Sequence, residues 1–301
     1  MKLYKITMHP ISSFATSLKG DTLFGQMCWA VFYQLGKEKL SLLLENYRED
    51  KPFLIVSDAF ATGYFPKPKM PSHFLNEKSE DKKINRKKLW LTPNALIEGK
   101  YNQAKDDKTV HNSEKKGMRM HNALNYKTFH TGGEGFDPYG VESMVLSPKD
   151  IYILLDEDQL SFEEFKKVFK LFSEMGYGKK SSIGQGRFVY DENKIEEIQI
   201  VHTSNTFMSL SPFVPSGLEI KNIYYEPFTR FGKFGGDRVS KNPFKKPLLL
   251  ADTASVIVLN EIKNVQYIGT NITGLTDLPE YQDTVHQGYS IVLPLKELSH
   301  D

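Results

Sequence analysis

Between residues 161 and 190 the chain spells out a helix, a glycine-rich loop and a strand in direct succession. Ser161-Phe-Glu-Glu164 is a capping box: the Ser hydroxyl can accept from the third helical N–H while the Glu carboxylate returns to the Ser N–H. Phe162, Phe165, Val168, Phe169, Phe172 and Met175 then recur at helical spacing and form one apolar face. Gly176 ends the pattern, as glycine commonly does after a helix. The loop Gly176-Tyr-Gly-Lys-Lys-Ser-Ser-Ile-Gly-Gln-Gly-Arg-Phe188 interleaves four glycines and two serines with Lys179, Lys180 and Arg187. Gly186 to Tyr190 (GRFVY) reads as the strand that follows.

The start of the chain also reads as strands and helices. Residues 2 to 9 alternate, with Tyr4, Ile6 and Met8 on one face of a strand. Asp21 is placed to cap a helix whose apolar face is Leu23, Phe24, Met27, Val31 and Leu35, ending at Gly36. A second short helix is expected over Glu38 to Glu45 and a strand over Phe53 to Phe60. From about Gly63 to Ser143 the chain turns polar, with Pro66, Pro68 and Pro71 and a basic run, Lys78 to Lys88, of six basic and two acidic residues. That length exceeds an ordinary connector, so the segment is an insertion that is functional or disordered. Near its end, residues 121 to 137 regain aromatics and turn formers and suggest an extended hairpin or arm. Val141 to Leu155 is expected as a strand. Strand, helix, strand, insertion, strand, helix, strand is the ferredoxin-like split unit.

Beyond residue 200 strands dominate, over Phe207 to Val214, Ile220 to Phe228, Leu248 to Leu259, Val265 to Thr273 and Val285 to Leu295. The expected fold is α+β, with two ferredoxin-like (RRM-like) domains. Residues 1–200 form the first, with the insertion at about 63–142, and residues 201–301 form a second, degenerate and strand-rich.

Composition restricts function. The 301 residues are 40% hydrophobic, with a net charge of +2, so nucleic acid could be met only through local basic patches. The single cysteine, Cys28, excludes an internal disulfide and any Cys-based zinc site. No signal peptide is legible and no run approaches the roughly 18 apolar residues of a membrane helix, so a cytoplasmic protein without membrane contact is expected.

Glycine lets backbone N–H groups approach an anion closely and the cations add charge, so the loop at 176–187 suits phosphates. It lacks the Walker and dinucleotide spacings and runs from helix to strand, whereas nucleotide loops run from strand to helix. No cofactor is expected. GQGRFVY also has a loose likeness to the base-stacking strand of RRM domains, but Phe188 reads as core.

GYGKKSSIGQGRF looks like the glycine-rich loop of the RAMP superfamily of CRISPR proteins. LKGDTLFGQMCWA (Leu18 to Ala30) and YYEPFTRFGKFGG (Tyr224 to Gly236) narrow the resemblance to the fourth Csm subunit of type III-A effector complexes. The resemblance implies a non-catalytic subunit that grips the 5′ repeat-derived handle of the crRNA. It also implies docking onto the large polymerase-domain subunit, a neighbouring backbone RAMP subunit, and only indirect contact with target RNA.

Carried over position by position, Gly178, Lys179, Lys180, Ser181, Ser182, Gly184, Gln185, Gly186 and Arg187 would meet the RNA backbone. Lys19, Gly20 and Thr22 would line the same cleft, with Asp21 capping. Arg119, His121, Asn122 and Asn125 resemble the family's thumb, which inserts into the guide. In Arg230-Phe-Gly-Lys-Phe-Gly-Gly236 the composition suits bases stacking on Phe231 or Phe234 while Arg230 and Lys233 meet phosphates.

The alternative is a metal-independent crRNA-processing endoribonuclease of the same superfamily, for which His9, His121 and His130 are the acid/base candidates. None of the three sits in a motif that fixes a partner base. No metal-binding pattern or nucleophile elbow occurs. A third reading is a protein-only scaffold whose loop packs on a neighbour, which would bind with little salt dependence.

Overall fold

The computed structural model describes residues 1–77, 81–133, 135–201, 203–216, 219–235, 244–278, 281 and 283–297. Lys78 of the basic run and Gly236 lie outside them. The chain opens with β1 (Lys2–Pro10), α1 (Gly20–Leu35), α2 (Lys37–Arg48), β2 (Leu54–Val56) and β3 (Phe60–Ala61). The insertion holds β4 (Phe65–Pro66), α3 (Lys82–Asn85), β5 (Lys88–Leu91), α4 (Pro93–Ile97), β6 (Lys105–Asp106), α5 (Asp107–Val110) and β7 (Lys115–His121). Next come β8 (Tyr139–Val145), β9 (Lys149–Leu155), α6 (Phe162–Met175), β10 (Phe188–Val189) and β11 (Glu196–Glu197). The last third is β12 (Thr203–Ser209), β13 (Ile220–Tyr224), β14 (Pro227–Arg230), β15 (Leu248–Ala251), β16 (Val256–Asn264), β17 (Tyr267–Ile272) and β18 (His286–Pro294).

The first sheet runs β10-β1-β9-β2, with β11 beside β1 and β3 beside β9, all antiparallel. The capping box of α6 forms as expected, and Phe165, Val168, Phe169 and Phe172 are buried. The second sheet runs β13-β16-β12-β18-β17, and no helix is present among the described residues after 200. Buried side chains of both segments join one apolar cluster: Leu23, Phe24 and Tyr47 from the first meet Met208, Val256, Tyr289 and Ile291 from the second. Tyr47 and Tyr289 meet edge to face at 5.3 Å. The chain is mixed α and β with antiparallel sheets.

Three expectations need correction. The strand expected over 53–60 breaks at Ser57, which still bonds Tyr152 of β9 but through its side chain as well as its N–H, while Asp58 turns away to other partners. Ser57 Oγ accepts from Tyr152 N–H at 2.8 Å, and Asp58 N–H donates to Leu210 C=O at 2.8 Å. The strand expected over 141–155 is two: β8 pairs with β7 in a separate hairpin, and only β9 joins the sheet. Asp21 caps nothing; Lys19 stands at the N-cap and Asp21 points inward, 2% exposed.

The insertion is folded. Its three-stranded sheet β4-β5-β6 places Phe65 and Leu91 in the main core, and α4 and the turn after it add Leu96 and Tyr101. The β7–β8 hairpin forms the expected arm, beginning at Lys115, six residues earlier than its composition suggested. At its root Glu114 accepts from Ser147 Oγ at 2.6 Å, from the His111 ring at 2.8 Å and from buried Lys149. Burial raises the Glu114 pKa, but these donors outweigh it and hold the carboxyl at about 2. Both strands of the arm are thus anchored at one carboxylate.

Candidate nucleic-acid interface

The glycine loop rests on the segment between β1 and α1. Ile11 N–H donates to Arg187 C=O at 3.0 Å, Arg187 N–H to Ser12 Oγ at 2.7 Å and Gly186 N–H to Ser13 C=O at 2.8 Å. On the entry limb, Lys179 N–H donates to Thr16 Oγ1 at 2.9 Å. Tyr177, fully buried, donates its hydroxyl to Ser17 C=O at 2.7 Å. Within the loop, Gly184 N–H reaches Ser181 C=O at 2.9 Å and Gln185 N–H reaches Lys180 C=O at 3.2 Å. Among the described residues no partner is found for the N–H of Gly178, Lys180 or Ser182. Donors left over in this way, next to cations, are what an anion-binding loop requires.

The loop cations differ. The side chains of Lys179 and Arg187 are exposed. Lys180, whose backbone is left-handed at φ 67°, donates to Tyr139 Oη at 2.6 Å and lies over that ring at 4.8 Å. Tyr139 stacks on His121 across the arm at 5.6 Å. The His121 pKa is lowered by burial, then by Lys180 and Arg119, so the imidazole is neutral near pH 7. Loop and arm thus form one cationic surface.

Of the other expected thumb residues, Arg119 and Asn122 are exposed on the arm, while Asn125 shapes its tip, its Oδ1 accepting from Lys127 N–H at 3.0 Å. Tyr126 and Phe129 near that tip are 81% and 75% exposed. Ser181 and Ser182 lie at the loop surface. Gln185 is buried and its side chain is not presented to a ligand at the surface.

Besides Gln185 and the buried Gly186, whose N–H is held by Ser13 C=O, the structure removes four expected contacts. Gly20 is buried, its N–H is held by Asp58 Oδ1 at 2.8 Å, and a side chain there would strike the Ser211 Cβ at 2.8 Å. The start of α1 is therefore closed to phosphate. Lys19 is engaged by Asp252 at 2.8 Å and Asp58 at 2.9 Å; burial lowers its pKa, but the two carboxylates outweigh this and keep it charged. Arg230 forms a two-pronged pair with Asp21, Nε to Oδ2 and Nη2 to Oδ1, each 2.6 Å. Phe234 is 6% exposed and packs on Tyr281 at 4.9 Å, whereas Phe231 is 73% exposed and open to stacking. Lys233 lies over the Phe244 ring at 4.6 Å, and Thr22 is half-buried beside Asp21.

Sequence reasoning gave Asp21 a capping role and missed the other residues that make these pairs. Asp21 accepts from Arg230 and also meets the His286 ring at 3.1 Å; Thr253 donates to Asp58 at 2.5 Å; Lys69 meets Asp252 at 2.7 Å. Thr16, Ser12 and Tyr139 were missed at the loop. Each is an ordinary turn or strand residue, and no signal in the chain distinguishes it.

Fold and site together define a mixed α/β chain of antiparallel sheets carrying a cationic glycine loop beside a basic, aromatic arm. No family model and no curated protein matches the sequence. Among solved structures, a chain of the Csm1–Csm4 cassette in complex with cA4 has TM-score 0.63 at 14% identity, with both chains covered in full. One in the same cassette with AMPPNP has TM-score 0.61 at 14% identity, again with full coverage of both. One in the Csm3–Csm4 subcomplex of the type III-A CRISPR-Cas interference complex has TM-score 0.58 at 16% identity, covering 99% of this chain and 100% of that one. Csm4 is the component these complexes share, and the present chain has a Csm4-like fold throughout its length.

Proposed function

We propose that this chain is a non-catalytic, crRNA-binding subunit of a type III-A CRISPR (Csm) effector complex, serving antiviral defence. It holds the 5′ repeat-derived handle on the glycine loop and arm, docks the large polymerase-domain subunit and a backbone RAMP subunit, and meets target RNA through the guide. The observation that carries this is the trio of unpartnered amides at Gly178, Lys180 and Ser182, flanked by Lys179 and Arg187 and continuous with the arm. The Csm4-like fold supports it. The strand order β10-β1-β9-β2 supports a ferredoxin-like first domain, and we read residues 201–301 as its degenerate, helix-poor counterpart. No described helix is long and apolar enough to cross a membrane.

Changing Lys179 and Lys180 together to Ala is expected to weaken retention of a repeat-containing single-stranded RNA. The slope of log affinity against log salt should fall by about 1.4, since each phosphate contact to a single strand contributes about 0.7. An unchanged slope would remove both lysines from the interface.

One observation favours the endoribonuclease alternative: neutral His121, Tyr139 and Lys180 are contiguous beside the loop. Against it, His121 Nε2 is covered and has no partner among the described residues, His9 lies exposed on β1, outside the loop, and His130 lies exposed at the arm tip beside Asn125. Incubating the protein and RNA with EDTA and scoring a denaturing gel separates the two. Intact RNA supports the binding subunit; cleavage lost in His121→Ala would replace it with the nuclease.

A further inference from the structure

We propose that Thr16 is a positioning residue for RNA binding, a reading that rests on the loop being the RNA-contacting element. The glycine loop must hold three free amides, at Gly178, Lys180 and Ser182, on one surface, yet it has little internal structure to do so. Its own hydrogen bonds, those among residues 178–185 and the one from Tyr177 N–H to Gly186 C=O, fix the tip and pair the limbs but do not set the orientation relative to the body. Orientation comes from two limbs. The exit limb is tied by Gly186 and Arg187 to the Ser13 carbonyl and the Ser12 hydroxyl. Among the described residues the entry limb between Tyr177 and the tip has one backbone tie to the body, Lys179 N–H to Thr16 Oγ1 at 2.9 Å.

A second observation points to the same residue. Gly178 has φ +74°, and a Cβ placed on it would lie 2.6 Å from both the Cβ and the Oγ1 of Thr16. The loop backbone is therefore pressed onto Thr16 as closely as a glycine permits, in a conformation that glycine adopts without strain. Thr16 both accepts the Lys179 N–H and sets the height of the backbone that carries the amides on either side of it.

Its neighbour Phe14 exchanges two backbone hydrogen bonds with Met144, each 2.8 Å, at the end of the arm strand β8. Residues 11–17 are thus a common seat for both RNA-facing elements. The Lys180–Tyr139 contact closes the circuit on the outer side. Loop and arm keep a fixed separation, and a handle spanning both meets a preorganised surface.

The test compares Thr16→Val, which keeps the shape and loses the acceptor, with Thr16→Ser, which keeps the acceptor, in the full chain. In hydrogen–deuterium exchange of the free protein, the Val variant should exchange its 177–186 peptide about tenfold faster or more, with the Ser variant near wild type. Gly178→Ala should give the same local loosening from the other side of the contact. Binding to repeat-containing RNA should weaken about five- to thirtyfold in Thr16→Val, with the salt slope unchanged because no cation is lost. A merely structural role would lower the melting temperature without confining faster exchange to the loop. Unchanged loop exchange in Thr16→Val overturns the seat, and a loosened loop with wild-type RNA affinity overturns its part in binding. If wild-type protein retains no RNA, it is the RNA reading that fails, and the exchange result still decides the seat.

Discussion

Replacing Asp21 with asparagine is expected to lower the unfolding free energy by about 3 kcal/mol, because removing one member of a buried ion pair strands the other without compensation. Asp21 is buried at the start of α1. It takes both prongs of Arg230 from β14 at 2.6 Å and the His286 ring of β18 at 3.1 Å. One carboxylate therefore joins the first helix to two separate elements of the second half. Burial on its own raises its pKa, but the hydrogen bonds and charges of His286 and Arg230 outweigh that and hold the carboxyl well below the usual carboxylate range.

The sign follows from linkage. A depressed folded-state pKa contributes stability that is complete above the unfolded value of about 3.9 and drains away as pH falls below it. The Asn variant should lose less stability than wild type between neutral pH and about pH 3. Urea unfolding at several pH values gives both numbers. A neutral-pH loss under about 1 kcal/mol would show that water or rearrangement compensates Arg230 and would refute the pairing as a structural tie. The double variant Asp21→Asn with Arg230→Gln is expected to recover about half of the loss, since no charge is then left unpaired.

That network also explains what the chain announces and what it conceals. The capping box at Ser161, the apolar faces of α1 and α6 and the glycine loop were legible because each is a local pattern: a helix terminus, a period of 3.6, a cluster of residues permissive of positive φ. The arm was legible from its turn residues. Lys19 and Arg230 were misread because a cation in a glycine- and aromatic-rich stretch has the same local composition whether it meets phosphate or a buried carboxylate. The difference is made by Asp58, Asp252 and Asp21, and these lie from 39 to 233 positions away in the chain. Phe234 was misread for the same reason, since its cover, Tyr281, is remote. The strand over 53–60 failed because burial at Ser57 and Asp58 is satisfied by tertiary hydrogen bonds that no alternation reveals. The folding of the insertion escaped composition because its core residues, Phe65, Leu91, Leu96 and Tyr101, come from apolar clusters too short to show a helix or strand period, separated by polar stretches.

Among the loop glycines, Gly184 and Gly186 look equivalent in sequence but are expected to respond very differently to alanine. Gly184 has φ +89° with open space around it, so Gly184→Ala meets only the backbone penalty of the left-handed region, about 1 kcal/mol. Gly186 has φ +75° and is buried against the backbone of Tyr177, whose carbonyl and nitrogen a Cβ would overlap. Neither is a flexible side-chain end, so the two limbs of the loop must separate. Separation breaks the bond from Tyr177 N–H to Gly186 C=O at 2.9 Å and threatens that from Gly186 N–H to Ser13 C=O at 2.8 Å. Strain and lost hydrogen bonds together make a cost of about 3 kcal/mol for Gly186→Ala, carried by a segment that also positions the free amides. Thermal melts and RNA retention measured on both variants test this directly. Gly186→Ala should melt well below Gly184→Ala and lose RNA binding while Gly184→Ala keeps most of it. Equal behaviour of the two would mean that the loop adapts to a side chain at 186, and the close approach of its limbs would then have no part in holding the phosphate-facing surface.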